Sequence, residues 1–456
     1  MVFNSNVFLF AFLPAVFAAF WLSKTKQQRY VLLTVSGYVF YGYWNWRFCF
    51  LLLFSSLVSF TAGLMIARAR SLSARRAWVL ASVTTDLSLL GFFKYYNFLA
   101  SNLAHMVPGS APPLLDIVLP IGISFYTFHT ISYILDVAAG RVRPTRNLFE
   151  YLAYVSLFSQ LVAGPIIRFR EIEDDLERID GPPREDQMSR GLGFFVTGLA
   201  KKAVIADSIA SWIDPMLGVP QSLSVAGAWL SALGYAFQLY YDFSGYSDMA
   251  VGLGLMFGLR IPQNFDSPYR ALGISDFWRR WHISLSRWLR DYLYISLGGN
   301  RRGEARTYLN LLVTMVLGGL WHGANWTFVA WGAYHGALLA LGRLGRPVFA
   351  PVPDLLKRAG TFLLVLFGWV IFRSSDLPMA AHWLGKMLGF GGGAGAVPVA
   401  LVGWVVVCLL LANLVPETWE FEFGTGLRWA PVYAMVFLIA YLFVNQQQTV
   451  FLYYQF

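Results

Sequence analysis

The chain has 456 residues, of which 57% are hydrophobic and only 13% charged, and it carries a formal net charge of +10. A soluble domain holds about a quarter charged residues, so this composition excludes an ordinary soluble enzyme and points to a polytopic integral membrane protein. The positive excess does not imply a nucleic-acid partner, because lysine and arginine gather in short loops between apolar runs.

Taken in order, the apolar runs start with Val2–Leu22, Val31–Trp46 and Phe48–Ile66. Each approaches the ~20 residues that cross a bilayer, and the shorter ones are expected to tilt, kink or re-enter. The first run has no basic segment before it and is too long for a signal-peptide core, so it reads as a retained segment. Three basic clusters follow: Lys24, Lys26 and Arg29; Arg68, Arg70, Arg75 and Arg76; Arg141, Arg143 and Arg146. Positive loops stay in the cytoplasm, which places the N-terminus on the outer side. Cys49 and Cys408 both lie in apolar runs and read as small hydrophobes.

Across Val155–Asp180 the stretch LVAGPIIRFREIEDDLERID breaks an apolar run at Gly164-Pro165 and turns densely charged. Two readings are open: a re-entrant hairpin that returns to the cytoplasm, or an ordinary span with a charged outer loop. The hairpin requires non-helical backbone shielded by protein.

Asp, Arg and His concentrate between Tyr235 and Gly336. In QLYYDFSGYSDMAVGLGLMFG, Asp242 and Asp248 lie in apolar surroundings, as paired carboxylates for acid–base work or as partners of a buried arginine. SDFWRRWHISLSRWLRDYLYISLGGN is predicted to form one amphipathic helix, capped by Ser275 or Asp276 and ended by Gly298-Gly299. Trp278, Trp281, Leu285, Trp288, Leu289 and Tyr292 share one face at helical spacing, and Arg279, Arg280, Arg287 and Arg290 the other. Such a helix belongs at the cytoplasmic interface. Its basic face suits lipid phosphates, or a phosphorylated donor such as coenzyme A. His282 falls in the apolar arc, as a satisfied buried histidine or as a site residue.

In GGLWHGANWTFVAWGAYHG, His322 follows the apolar run Tyr308–Leu320. An ionisable side chain at membrane depth is costly and is by default a functional hypothesis. Imidazole is also the commonest general base near neutral pH. Asn325 and Trp326 on the next turn could orient a substrate carbonyl or close the site. His129 and His335 are expected to be packed structural residues, and His105 and His382 loop residues. No nucleophile elbow, phosphate-binding loop or Cys/His metal spacing is present.

Arg343, Arg346, Lys357 and Arg358 mark a further cytoplasmic loop, and the runs Thr361–Phe372, Val399–Val415 and Trp429–Val444 follow. Three crossings then put the C-terminus outside. The last six residues, FLYYQF, stand beyond a polar NQQQT spacer. They read either as an aromatic interface anchor or as part of the chemistry.

The long motifs FWRRWHISLSRWLRDYLYISLGGN and GGLWHGANWTF resemble the membrane-bound O-acyltransferase (MBOAT) family. LPIGISFYTFHTISYILDV, LVAGPI and YYDFSGYSDMA resemble its bacterial alginate O-acetylase (AlgI-type) branch, so the similarity spans most of the chain. The resemblance implies an all-α bundle with a central tunnel, re-entrant segments and interfacial helices. One transmembrane domain is expected over 1–450, with its catalytic core at about 120–345 and the hexapeptide 451–456 outside. The family's essential histidine falls on His322, and its second conserved polar position on His282. The implied donor is acetyl-CoA or another acyl thioester, with no metal. Tyr453 of the hexapeptide is the implied acyl relay, and Tyr454 is a second candidate where the family commonly has an aromatic without a hydroxyl. A periplasmic SGNH-type partner would then deliver the group to an exopolysaccharide that this chain reaches only indirectly.

A bacterial inner-membrane enzyme acting toward alginate is therefore expected. Cellulose, peptidoglycan and D-alanylated teichoic acid are the alternatives of the same chemistry. Outside it stand a polysaccharide transporter or flippase, although no internal repeat is found, and a scaffold that recruits an outer enzyme.

Overall fold

A computed structural model describes residues 1–107, 109, 112–218, 222–390, 393, 395 and 397–444. The hexapeptide, with Tyr453 and Tyr454, lies outside the described residues. Among those residues all regular structure is helical. The chain divides into two compact units. One comprises Met1–Phe195, Ser247–Pro262 and Phe423–Tyr433; the other comprises Val196–Tyr246, Gln263–Glu422 and the described part of Ala434–Phe456.

The first unit is built from α1 (Leu13–Leu22), α2 (Lys26–Asn45), α3 (Phe48–Arg68), α4 (Leu72–Leu90), α5 (Tyr96–Met106), α6 (Ile123–Ala138), α7 (Leu148–Val155), α8 (Phe169–Glu177) and most of α9 (Glu185–Ala200). Polar caps start several of these. Thr25 and Gln28 form a reciprocal capping box on α2, and Ser71 and Asn147 cap α4 and α7. Helix α3 is apolar and 21 residues long, enough to cross a bilayer.

Packing in this unit depends on small residues and buried hydroxyls, the usual glue between membrane helices. Asp86 of α4 accepts from Ser55 Oγ of α3 at 2.6 Å and from Thr130 Oγ1 of α6 at 2.8 Å. Ser59 of α3 lies 2.7 Å from the Tyr151 hydroxyl of α7. A Cβ on Gly63 would stand 2.8 Å from the Tyr133 ring, so only glycine admits that ring against α3. Arg29, expected in a solvated loop, is instead buried over the Phe20 and Trp21 rings and donates to the carbonyls of Ile179 and Gly181.

Residues 156–168 are non-helical and buried throughout. An ordinary spanning helix across Val155–Asp180 is thus replaced by α7, a sheltered irregular stretch and α8, as the re-entrant reading requires. Protein groups satisfy its backbone: the Tyr154 hydroxyl donates to Ile167 O at 3.0 Å, and Gly164 N–H donates to Gln160 O at 3.1 Å.

The second unit contains α10 (Asp207–Gly218), most of α11 (Val225–Met256), α12 (Ile274–Arg280), α13 (Ile283–Trp288), α14 (Glu304–His322), α15 (Trp326–Leu344), α16 (Arg346–Phe349), α17 (Asp354–Arg373), α18 (Leu377–Met387), α19 (Val399–Leu414) and most of α20 (Ala430–Val444). By length and composition α17 and the segment Leu427–Val444 are further candidate membrane crossings.

The hairpin α14–α15 is the tightest helix pair of this unit. Cβ atoms on Gly319 and Gly332 would fall 2.1 Å from Phe328 O and 2.4 Å from Met315 O, so the two backbones meet without side chains between them. Two buried ion clusters tie other elements together. Lys202 Nζ lies 2.7 Å from Asp207 Oδ1 and 2.8 Å from Asp242 Oδ1. Glu417 accepts from Lys201 Nζ at 3.1 Å, from the Tyr240 hydroxyl at 2.6 Å and from Ser267 N–H at 3.1 Å.

Candidate active site

The predicted single helix across Ser275–Gly298 is broken at the histidine. Helix α12 starts after Gly273 and ends at Arg280. Trp281 is extended, His282 takes φ +44° and ψ +54°, and α13 then begins. The cap expected at Ser275 or Asp276 is not formed: Gly273 is the N-cap, with no side-chain bond, and both residues lie inside the first turn, where Asp276 accepts from Leu272 N–H at 3.1 Å. A π-helical turn at Leu289–Tyr294 continues α13, and Gly298 and Gly299, both at positive φ, close the stretch.

The break has an identifiable cause. Asn264 O accepts from Ile283 N–H at 2.9 Å, and Asn264 Oδ1 accepts from Ser284 N–H at 3.1 Å and Ser284 Oγ at 2.8 Å. These bonds take amides that a continuous helix would have used internally. The two-faced pattern survives the break: Trp281, Leu285, Trp288, Leu289 and Tyr292 are buried, whereas Arg279, Arg287 and Arg290 are exposed.

Left-handed backbone costs a residue with a Cβ about 1–2 kcal/mol. Among the described residues only Ser267 and His282 adopt it without being glycine. Both sit in the polar loop structure that precedes and interrupts this helix. The His282 ring is buried, 4.7 Å edge-on from Phe243 and 6.3 Å from Trp321, with Nδ1 3.2 Å from Asn264 Oδ1.

His322 closes α14 at the tip of the α14–α15 hairpin. Its ring is boxed by Trp321 at 5.1 Å, Trp331 at 5.3 Å and Phe372 at 5.2 Å. Trp321 thus touches both histidines. His322 also lines a cavity of about 1420 Å³, together with Thr314, Met315, Gly318 and Trp331, while His282 is not part of that wall. An imidazole walled by aromatic rings and opening on a cavity can exchange a proton with a bound reactant.

Arg279, Arg280 and Arg290 line the same cavity, and Arg287 does not. Arg280 is engaged by Asp276 at 3.2 Å and Asp266 at 3.4 Å, and Arg290 by Asp291 at 2.7 Å. Three further cations line it: Arg343, Arg346 and Lys357, which in sequence marked only a cytoplasmic loop. Arg343 and Arg346 form no salt bridge among the described residues. Between Trp331, beside His322, and Arg343, helix α15 rises by about 18 Å. The cavity therefore joins a proton-accepting ring to a basic patch at a distance suited to a donor with a long flexible arm.

The remaining candidates sit elsewhere. Asn325 caps α15, accepting from Thr327 N–H at 3.0 Å and donating to Ser375 O at 2.7 Å. Trp326 is half exposed, and neither residue lines the cavity. Asp242 partners a buried cation, which is Lys202 rather than an arginine. Asp248 is buried in α11. His335 is enclosed by Trp278 and Trp331 and pressed against Gly368, a packed residue as expected, and His129 is buried in α6. His105 and His382, expected in loops, lie exposed on α5 and α18.

Sequence reasoning missed Asn264, Lys202 and Glu417. The pair of lysines inside the apolar run GLAKKAVIA is the signal that should have prompted a search for buried carboxylates.

Comparison with known proteins places the chain in a family. The model of the membrane-bound O-acyltransferase family, MBOAT, matches residues 10–374. The chain is 48% identical over 397 residues to a probable alginate O-acetylase AlgI of Pseudomonas putida, covering 86% of this chain and 81% of the relative. It is 37% identical over 425 residues to a peptidoglycan O-acetyltransferase of Helicobacter pylori, covering 86% and 80%. A teichoic acid D-alanyltransferase of Streptococcus thermophilus is 32% identical over 236 residues, covering 48% and 56%. With a helical, bilayer-length architecture and an imidazole set into a basic cavity, the chain belongs to the membrane-bound O-acyltransferase family and is a polytopic membrane O-acyltransferase.

Proposed function

We propose that the chain moves an acetyl group from acetyl-CoA in the cytoplasm across the bacterial inner membrane, for O-acetylation of an alginate-type exopolysaccharide. The observation that most supports this reading is the cavity shared by His322 and the cations Arg279, Arg290, Arg343 and Arg346. The guanidinium groups suit the donor's phosphates, and the arm would carry the thioester to the ring. His322 Nε2 or Nδ1 takes the proton of an acceptor hydroxyl as its oxygen attacks the thioester carbonyl. The C–S bond breaks, and the imidazolium returns the proton to the departing thiolate, leaving an ester and free coenzyme A. His282 orients the acceptor or shares the proton.

The acceptor in this reading is Tyr453, with Tyr454 as the alternative. A phenol has a pKa of about 10, far below that of a sugar hydroxyl, so its ester keeps a good leaving group. It can still acylate a serine of a periplasmic SGNH-type partner, which delivers the acetyl group to the polymer. Both termini then lie on the periplasmic side. The peptidoglycan O-acetyltransferase relative favours a second reading, in which the same chemistry serves peptidoglycan.

The test uses full-length protein in inner-membrane vesicles with radiolabelled acetyl-CoA. His322→Ala should abolish label transfer, and retained transfer there would refute the enzyme reading. Tyr453→Phe and Tyr454→Phe, made singly, should leave label on the chain in one and remove it in the other. Full activity in both would exclude the tail as a relay.

A further inference from the structure

We infer that Asn264 is a positioning residue that fixes His282 as its Nδ1–H tautomer, leaving Nε2 as a proton-accepting nitrogen. The inference deepens the proposed acyl transfer and rests on that reading for its catalytic consequence, but the tautomer itself rests on geometry alone.

The amide orientation comes first. Oxygen and nitrogen of an asparagine side chain are distinguished by their partners. A backbone N–H can only donate, and Ser284 N–H points at the Asn264 terminal atom 3.1 Å away. That atom is therefore the oxygen. The same atom lies 3.2 Å from His282 Nδ1. A carbonyl oxygen can only accept, so Nδ1 must carry the proton for this contact to be a hydrogen bond. In the neutral ring the lone pair then resides on Nε2.

The backbone serves the same end. His282 is held at φ +44° by the bonds that Asn264 makes to Ile283 and Ser284 on its far side. In a continuous helix, the reading its sequence favours, those amides would bond to carbonyls four residues earlier and could not grip Asn264. Asn264 thus breaks the helix through its backbone carbonyl and its side chain together, and the side chain alone meets the imidazole and chooses its tautomer.

The chemical consequence is selective. A neutral His282 with its proton on Nδ1, already given to Asn264, cannot donate from Nε2 to a developing oxyanion. It can accept from a hydroxyl. His282 is assigned to the acceptor's O–H, as a holder or relay of the proton that His322 withdraws, and not to the thioester oxygen.

The experiment reads the tautomer directly. Full-length protein carrying ¹⁵N-histidine is reconstituted in lipid nanodiscs, and the His282 signals are assigned by their loss in His282→Gln. Wild type should show Nδ1 protonated and Nε2 unprotonated. Asn264→Ala should shift the ring toward Nε2–H and lower kcat for acetyl transfer about 10- to 100-fold, the usual effect of removing a ring-orienting partner, with the KM for acetyl-CoA little changed. Asn264→Asp keeps an acceptor for both Ser284 and His282 and should restore the Nδ1–H state. Ser284→Ala removes a bond to Asn264 without touching the imidazole, and it should leave tautomer and kcat near wild type.

An Nε2–H ring in wild type overturns the assignment. So does an unchanged ring in Asn264→Ala, or equal loss of kcat in Asn264→Ala and Ser284→Ala, which would make Asn264 a structural strut. If transfer persists in His322→Ala while the tautomer behaves as stated, the functional reading has failed and the assignment of Asn264 has not.

Discussion

Alanine at Gly319 should disable the site while alanine at its neighbour Gly318 should not. A Cβ on Gly319 would stand 2.1 Å from Phe328 O, 3.1 Å from Phe328 C and 3.3 Å from Gly332 Cα, all rigid backbone of α15. Reaching an ordinary 3.4 Å contact requires the two helices to separate by about 1.3 Å, in an interior packed too closely to absorb it. Overpacking of this kind costs about 1–3 kcal/mol. The displacement carries Trp331 away from His322, whose rings now sit 5.3 Å apart. A misplacement of ~1 Å at a reacting group can cost about 100-fold in rate. On Gly318, by contrast, the added Cβ meets only Leu289 Cδ1 at 3.0 Å, the movable end of a side chain. The assay is kcat for labelled acetyl transfer in reconstituted protein, with thermal stability measured in parallel. Gly319→Ala should lose about two orders of magnitude in kcat, and Gly318→Ala should stay within about threefold of wild type. Equal activity of the two variants would refute the link between helix approach and catalysis.

Replacing Arg343 and Arg346 together by glutamine should raise the KM for acetyl-CoA about tenfold with kcat unchanged, an effect that fades at high salt; Arg287→Gln, outside the cavity wall, should not. Glu417 gives a pH prediction. Burial pushes its carboxyl up, but the Lys201 ammonium and the donors Tyr240 and Ser267 N–H outweigh this and hold it below the usual range. Its stabilisation is therefore present above the unfolded value of about 4.5 and lost as pH falls through the lowered folded value. Glu417→Gln, which removes the ion pair with Lys201, should cost about 3 kcal/mol at neutral pH and flatten that acid dependence, as read by thermal unfolding across pH 3–7 (a range of roughly four units).

What the sequence revealed, and what it hid, divides along the range of the interactions. His322 was legible as a candidate because an ionisable ring at the end of an apolar run is costly unless it is used. The buried face through Trp281, Leu285 and Trp288 was legible because spacing alone encodes it. The helix break at His282 was not, since its cause is Asn264, eighteen positions earlier and without periodic signature. The place of Arg343 and Arg346 in the cavity wall was hidden for a related reason: loop cations fit the topology rule whether or not they face a cavity. Lys202 and Glu417 stayed silent because each derives its meaning from partners distant in the chain or on another element.

The sheltered stretch 156–168 bears on how the protein is made. A nascent chain meets the lipid bilayer in order of synthesis, and irregular backbone released into lipid has no solvent for its amides. Here several of the sheltering groups are translated first. Ser156 O lies where a Cβ of Gly37 would collide with it, and the Phe158 ring packs against Phe8, Phe12 and Phe40. By the time this stretch leaves the ribosome, that glycine and three of the rings around Phe158 have already been synthesised, while Phe257, 5.5 Å from Phe158, is still to come. Vectorial synthesis thus supplies the pocket before its occupant, so that a segment with no capacity to insert alone is received by protein.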